Sequence, residues 1–508
     1  MSTESLEQED GSADAAERTA GGRGGALTLA SVLLGYLVVP MAMSGTSVAL
    51  PRIAQDLGGS AGALQWVVTG YFLAASCLML IAGSLGDLFG RRRVFRIGAA
   101  VYGLSTLGAA VAGNVLVVDV ARTLSGVGAA GIMAGGGAIL AGTFQGPART
   151  RAFAAVGTTV GVGLAFGPTF SGWLVSAFGW RVMFVAFAVA GLLVLLGTVF
   201  MTESKAEVRP RVDLPGTFAF ITAIVALMYG TNQVAQAGWT HPKVLGCIIG
   251  GLVMLVVFVR LERRTEHPVL DLALIKNRPF LGWLLAALTI AVGTVGVLVY
   301  LPTYLQGAQG LDAGKAGAVM LAMTLPVLAV PPLAGKLVNG GTSPRVLIVS
   351  AIGLLAAGNA WMTVLSPDAT TLTLLGPLLL IGIGNGMAAA LIDAQAMEHV
   401  VPERIGMASG LLNSARGGAN ALVLAVFGAA LITLIQSGVG SRELAGKVAA
   451  GNLEGGPHAL LVEHYTDAWR VVLWAVAALC AVAAVTVAGL VRAPKPAVAA
   501  AGTAAGTV

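Results

Sequence analysis

Apolar runs of about 20 residues, the length a helix needs to cross a bilayer, recur from Leu27 almost to the end of this chain, and they constrain its fold more than any other feature. Fourteen can be counted, at approximately 27–50, 63–85, 95–113, 115–143, 152–177, 181–202, 214–232, 244–260, 280–304, 315–336, 346–365, 371–397, 406–435 and 469–491. Hydrocarbon offers no hydrogen bonds, so each run must satisfy its own backbone, and runs of this length do so as helices. Composition agrees: 56% of the 508 residues are hydrophobic and only 11% charged, against about 25% charged in an ordinary soluble domain. A soluble fold, a disordered chain and a nucleic-acid binder are excluded, and the fold class is an all-α integral membrane protein.

The net charge of +6 orients the chain rather than marking a basic partner. An even span count puts both termini on one side. If that side is cytoplasmic, the inner loops and tails hold 21 of the 30 Lys and Arg and the outer loops seven, the asymmetry expected of the positive-inside rule. The other two, Arg122 and Arg416, lie within apolar runs. Residues 1–26 carry six acids and no basic leader region, and read as a disordered cytoplasmic tail; 492–508 form a second. Arg260 to Pro279 is a polar cytoplasmic connector, and 437–467 is an outer loop with room for a short amphipathic helix.

Neither loop is large enough for an enzymatic domain, so the chain reads as a non-enzyme whose work is done within the bundle. No G-x-x-x-x-G-K-[ST] phosphate loop is present, which excludes ATP as the driver. The five histidines do not cluster as metal ligands, and Cys77, Cys247 and Cys480 each sit inside an apolar run as packing residues. The expectation is no cofactor and no metal.

Three segments stand out. The loop after span two reads Gly83-Ser-Leu85-Gly86-Asp87-Leu-Phe-Gly90-Arg91-Arg92-Arg93; its glycines allow a tight turn, and its arginines suit an anionic leaflet. Span four contains Asp119-Val-Ala-Arg122-Thr-Leu-Ser-Gly126-Val-Gly128. An arginine within a span is costly and marks function by default. Either Asp119, three residues earlier, neutralises it as a structural ion pair, or Arg122 sets the proton affinity of a proton-carrying acid or contacts substrate. Span five carries Gly157, Gly161, Gly163, Gly167-Pro168 and Gly172, small residues that let helices approach, with a proline that removes one backbone bond.

These segments resemble, in order and position, signature motifs of the Major Facilitator Superfamily, and with fourteen spans the chain is similar to its 14-spanner drug:proton antiporter branch. The resemblance implies two six-helix halves, 27–202 and 280–491, with two inserted helices and a connector at 203–279. It implies a cytoplasmic gate at Gly83, Asp87, Gly90, Arg91 and Arg92, coupling by Asp119, Arg122 and Asp393, and an antiporter hinge at Gly163, Gly167, Pro168 and Gly172. Spans 1, 4, 9 and 12 would line a central cavity, where Met41, Met43, Ser44, Tyr300, Tyr304, Asn385 and Gln395 are candidate substrate contacts. Both aspartates would then sit on cavity helices, with Asp393 alternatively ending its helix near water. One departure matters: the branch's first-span acid is replaced by Ala42, and its Asn by Ser47. That argues for a neutral, zwitterionic or anionic substrate.

The implied function is proton-driven export of an amphiphilic drug or antibiotic across a bacterial cytoplasmic membrane. Its partners would be a small organic substrate, protons and the lipid bilayer, with no nucleic acid and no obligatory protein partner. Two alternatives are a dedicated exporter of an endogenous metabolite, lipid, siderophore or peptide, and a non-transporting receptor or assembly partner on the same fold.

Overall fold

The computed structural model describes residues 23–203, 214–263, 265, 276–400, 405–454 and 456–491, and among these it is helical without strands. Most of the two expected tails and the connector core 266–275 lie outside the described residues. The first half is α1 (Arg23–Leu57), α2 (Ala61–Phe89), α3 (Arg91–Ala110), α4 (Val115–Thr143), α5 (Gly146–Phe178) and α6 (Trp180–Gly197). Next come α7 (Leu214–Ala237) and α8 (Pro242–Glu262). The second half is α9 (Arg278–Gly307), α10 (Ala313–Val319), α11 (Leu321–Asn339), α12 (Pro344–Trp361), α13 (Thr371–Glu398), α14 (Ile405–Val439), the short α15 (Arg442–Ala449) and α16 (His458–Leu490).

Twelve helical rods among the described residues are long and apolar enough to cross a membrane, α10 and α11 forming one of them. The protein is thus a multi-pass membrane protein, but the expected count of fourteen is not reached on this measure. Helix α3 falls short because Arg91, Arg92, Arg93 and Arg96 fill its first turns; α7 falls short because its apolar stretch, Pro215–Thr231, ends early. The expected outer loop is also shorter than 437–467, since α14 runs to Val439 and α16 begins at His458.

Helix starts follow local capping chemistry. Ser60, Asn114, Asn277, Asp312, Thr370 and Ser441 each accept a hydrogen bond from a backbone N–H in the first turn, which satisfies a donor that the helix itself leaves orphaned. Gly90 and Gly179 each join two helices with almost no linker, at φ 119° and 87°, a conformation that side chains with a Cβ resist.

The two halves repeat one pairing scheme. In the first, α1 packs on α5 and α6, α4 on α2 and α3, and α3 on α6. In the second, α9 packs on α14 and α16, α13 on α11 and α12, and α12 on α16. The halves meet where α2 packs on α14, α5 on α10 and α11, and α1 on α9, while α7 lies against both α2 and α14. Helices α1 and α9 run parallel, since Val48 near the close of one meets Gln306 near the close of the other. Gly282, at the start of α9, lies against Leu490 and Val491. The described chain therefore begins and ends at the same end of the bundle, the tail end, opposite a far end. Exposed apolar side chains such as Leu116, Val120 and Leu124 on α4 or Leu252 and Val256 on α8 cover the outside, as a lipid-facing surface requires.

Candidate functional site

The seam between the halves is closed at the far end by hydrogen bonds that cross it. Gln65 of α2 donates from Nε2 across it to Tyr300 Oη of α9 at 3.0 Å, and the Tyr300 hydroxyl is itself held within its own half by donating to the Leu424 carbonyl of α14 at 3.0 Å. Gln306 donates to the Val48 carbonyl at 3.0 Å. Between α5 and the α10–α11 rod, Thr169 donates to the Gly317 carbonyl, Thr324 to the Ala165 carbonyl, and the Gly314 N–H to Ser176 Oγ. An aromatic cluster backs the closure: Tyr300 stacks on Phe427 at 5.4 Å, and Phe427 meets Trp469 edge-on at 5.3 Å. In the tail-side half, Gly157 of α5 and Gly335 of α11 face open space. At the far-end joint Asp312 caps α10, and the Lys315 backbone N–H holds its carboxyl below the ordinary 3.8, helped by the Lys315 ammonium at 3.4 Å.

The basic loop is pinned by an acid that sequence reading did not single out. Glu203, just beyond α6, accepts from the Arg92 backbone N–H at 3.0 Å and lies 3.8 Å from Arg93 Nε. A carboxylate at the N-terminus of α3 meets orphan amides and the positive end of the helix dipole together. The Glu203 carboxylate also occupies the space a Cβ at Gly90 would need. Arg91 donates to the Ala138 carbonyl at 3.5 Å, Gly83 faces open space, and the side chain of Asp87 lies outside the described residues.

Arg122 and Asp119 do not pair, which overturns the neutralised-pair reading. Arg122 is fully buried; its Nε donates to the Val67 carbonyl at 3.2 Å and its guanidinium lies 4.1 Å from the centre of the Tyr71 ring. Its two terminal nitrogens have no hydrogen-bond partner. Asp119 is 6% exposed and its Oδ1 accepts nothing. It lines a groove between α2, α4 and α7 rather than the seam between the halves, so its expected place on the central cavity is also corrected. Sequence spacing set the two residues on adjacent positions of one helix face, but the capture of Arg122 by Tyr71 and a carbonyl on α2 is a tertiary event. Asp393 instead pairs with Arg416 of α14 at 2.9 Å, with 57% and 34% of the two side chains exposed, rather than merely ending its helix.

The expected hinge is a two-sided packing strip. Helix α5 runs through Pro168 without interruption. A Cβ on Gly163 would meet the Leu37 carbonyl, and one on Gly167 the Met41 carbonyl and Ser44 Oγ, so these glycines seat α5 on α1. Gly172 faces the Ala313 carbonyl across the seam, opposite the half it belongs to. Of the candidate substrate contacts, Met41, Met43, Asn385 and Gln395 are half-buried, and Gln395 donates to Glu398 at 2.8 Å. Ser44 is buried in the α1–α5 contact, donating to the Pro40 and Leu164 carbonyls. Tyr300 belongs to the far-end closure. Tyr304 is fully buried against Tyr465 and Trp469, its hydroxyl bonded to Thr466 at 2.7 Å, which makes it a packing residue of α9 and α16 and not a cavity wall. Ala42 is likewise fully buried. Gln65, Gln306 and Glu203 were missed because nothing in local sequence distinguishes them; the one signal was a lone amide or acid at the edge of an apolar run.

Comparison with known proteins agrees with this architecture. The family model for the Major Facilitator Superfamily matches residues 32–424. The chain is 32% identical over 441 residues to the puromycin resistance protein pur8 of Streptomyces alboniger, covering 85% of this chain and 86% of that one. It is 32% identical over 441 residues to the cephamycin export protein CmcT of Amycolatopsis lactamdurans, covering 85% and 87%. Against the multidrug resistance protein Stp of Mycobacterium tuberculosis it is 31% identical over 407 residues, covering 80% and 75%. The same fold is seen in the crystal structure of a bacterial homolog to the human lysosomal transporter Spinster, with a TM-score of 0.65 at 17% identity over 93% of this chain and 98% of that one.

Proposed function

This chain belongs to the Major Facilitator Superfamily, and on that premise we propose that it exports an amphiphilic antibiotic or related drug from a bacterial cytoplasm by proton antiport, acting as a carrier and not as an enzyme. The observation that carries the reading is the seam: two halves of one pairing scheme, hydrogen-bonded to each other at the far end, with relatives named for antibiotic resistance and export. Such halves rock about a central site, opening it to each side in turn.

The loop charges support placing the tail end in the cytoplasm. The far-end closure then makes this an inward-facing arrangement, and opening outward requires Gln65 to leave Tyr300 and Gln306 to leave Val48. Meanwhile the basic loop, with Asp87, Arg91, Arg92 and the pinning Glu203, would close the cytoplasmic side. Of the two acids expected to carry the proton, Asp393 is favoured by its water-accessible pair with Arg416. Taking up a proton removes the carboxylate's charge and with it the ion pair to Arg416. Losing the proton restores the pair. Arg122, buried with two unpaired nitrogens, is the group whose environment must change with the cycle. The buried Ala42 supports a central substrate position without a fixed negative charge.

Expression in a pump-deficient host tests this. Wild type is expected to raise resistance to at least one of a panel including puromycin and a cephamycin, with Asp87→Asn and Asp393→Asn reducing it and a protonophore abolishing it. Protection against nothing on a broad panel would overturn the drug-export reading. A relative named for export of a single antibiotic favours a second version, a dedicated exporter of one endogenous metabolite. Protection confined to a single compound class would select it.

A further inference from the structure

The groove holding Asp119 is not part of the seam between the halves. It has a volume of about 490 Å³ and lies between α2, α4 and α7, in the far half of the bundle. That is the size of a pocket for a drug-sized molecule, which such sites enclose with apolar and aromatic walls and a few placed polar groups. Trp66 and Tyr229 form the aromatic wall, edge to face with ring centres 6.5 Å apart. The Trp66 indole is held by donation from Nε1 to Thr123 Oγ1 at 3.2 Å, and Thr123 in turn donates to the Asp119 carbonyl at 2.8 Å. Gln233 of α7 supplies a further polar group. The mouth opens sideways: Leu116, Val120 and Leu124, one turn apart on α4, line it and are 70%, 53% and 46% exposed, the stripe that faces hydrocarbon.

The chemistry of the groove is asymmetric. Asp119 is more than nine-tenths buried, its Oδ1 accepts no hydrogen bond, and among the described residues no Lys or Arg lines the walls. The basic residue nearest in sequence, Arg122, is committed to Val67 and Tyr71. A buried carboxyl group lacking a basic partner, facing indole and phenol rings, is complementary to an organic cation with an apolar body, whose charge stabilises the ionised carboxylate as the rings attract the cation. We propose that this groove binds amphiphilic organic cations that reach it laterally from the bilayer leaflet at the far end. The shared chemistry is an organic cation on an apolar body. Its source is either a free amphiphile or the ammonium headgroup of a lipid.

The test uses the full chain in nanodiscs of phosphatidylglycerol, with labelled tetraphenylphosphonium and no ion gradient, so it does not depend on the export reading. Saturable binding is expected, weakened at least tenfold by Asp119→Asn and by Trp66→Ala and largely restored by Asp119→Glu. Size-exclusion profile and melting temperature report whether each variant is folded. Discs containing phosphatidylethanolamine distinguish the sources: loss of tetraphenylphosphonium binding identifies a lipid amine as occupant, and unchanged binding a free amphiphile. Absence of saturable binding to wild type, or unaltered affinity in a folded Asp119→Asn variant, overturns the proposal. Binding retained in a protein that confers no resistance overturns the export reading alone.

Discussion

At the scale of single residues, the informative charges are those without partners. Burying an unpaired cation costs free energy that its contacts only partly return, a ring face contributing about 0.5–2 kcal/mol. Arg122, held by one carbonyl, the Tyr71 ring and the more distant Phe184 ring, is therefore a poor investment for stability alone. Arg122→Met is expected to leave the melting temperature unchanged or raise it, while lowering drug export at least tenfold. A fall of more than 5 °C with export intact would show that the arginine is structural. That this residue matters was legible in the sequence, because an arginine in an apolar run has few reasons to be there. Its contacts were not, because Val67 and Tyr71 lie on another helix and no spacing rule connects them to it.

At the scale of elements, α5 shows how one helix serves two interfaces. Gly163 and Gly167 face α1, and Gly172 faces α10 across the seam, while Gly157 on the same helix faces open space. Adding side chains where backbone already fills the room forces shifts that typically cost about 1–3 kcal/mol. Gly167→Val is expected to lower the melting temperature by several degrees and Gly157→Val to leave it within about a degree, both read by thermal unfolding in detergent. Equal effects would mean that the glycines act by helix propensity and not by close approach. The glycine pattern itself was readable from sequence; which glycine meets which helix was not, because four-residue spacing defines a stripe without naming the neighbour. The same limit applied to Tyr304, an aromatic on an expected cavity helix that proves to pack against Tyr465 and Trp469.

At the scale of the whole molecule, the hydrogen bonds across the far end hold one arrangement of the two halves. Combining Gln65→Leu with Tyr300→Phe removes the Gln65–Tyr300 bond across the seam and the Tyr300–Leu424 bond that positions it without creating a cavity, and is expected to shift the population toward a far-end-open state. Spin labels at Arg52→Cys and Asp368→Cys, both exposed and on opposite halves, in a chain whose three native cysteines are replaced, would report a longer mean separation; an unchanged distance distribution would remove these bonds from the gate. The same labels test the Asp312 joint. Its carboxyl is held below 3.8, so the contribution it makes is present above that value and is lost as pH falls through the lower folded value. The far end should accordingly stay closed from pH 8 to pH 5, and loosening in that range would mean another group titrates there.

By itself the sequence determined a membrane-embedded helical bundle, the approximate bounds of its helices and the basic loops between them. These follow from local quantities: run length, loop charge and the cost of an unsatisfied backbone in hydrocarbon. Only the tertiary structure decided which charges are paired. It separated Asp119 from Arg122, joined Asp393 to Arg416 and gave Glu203 to the basic loop, because each of those choices depends on what a neighbouring helix presents at the same depth.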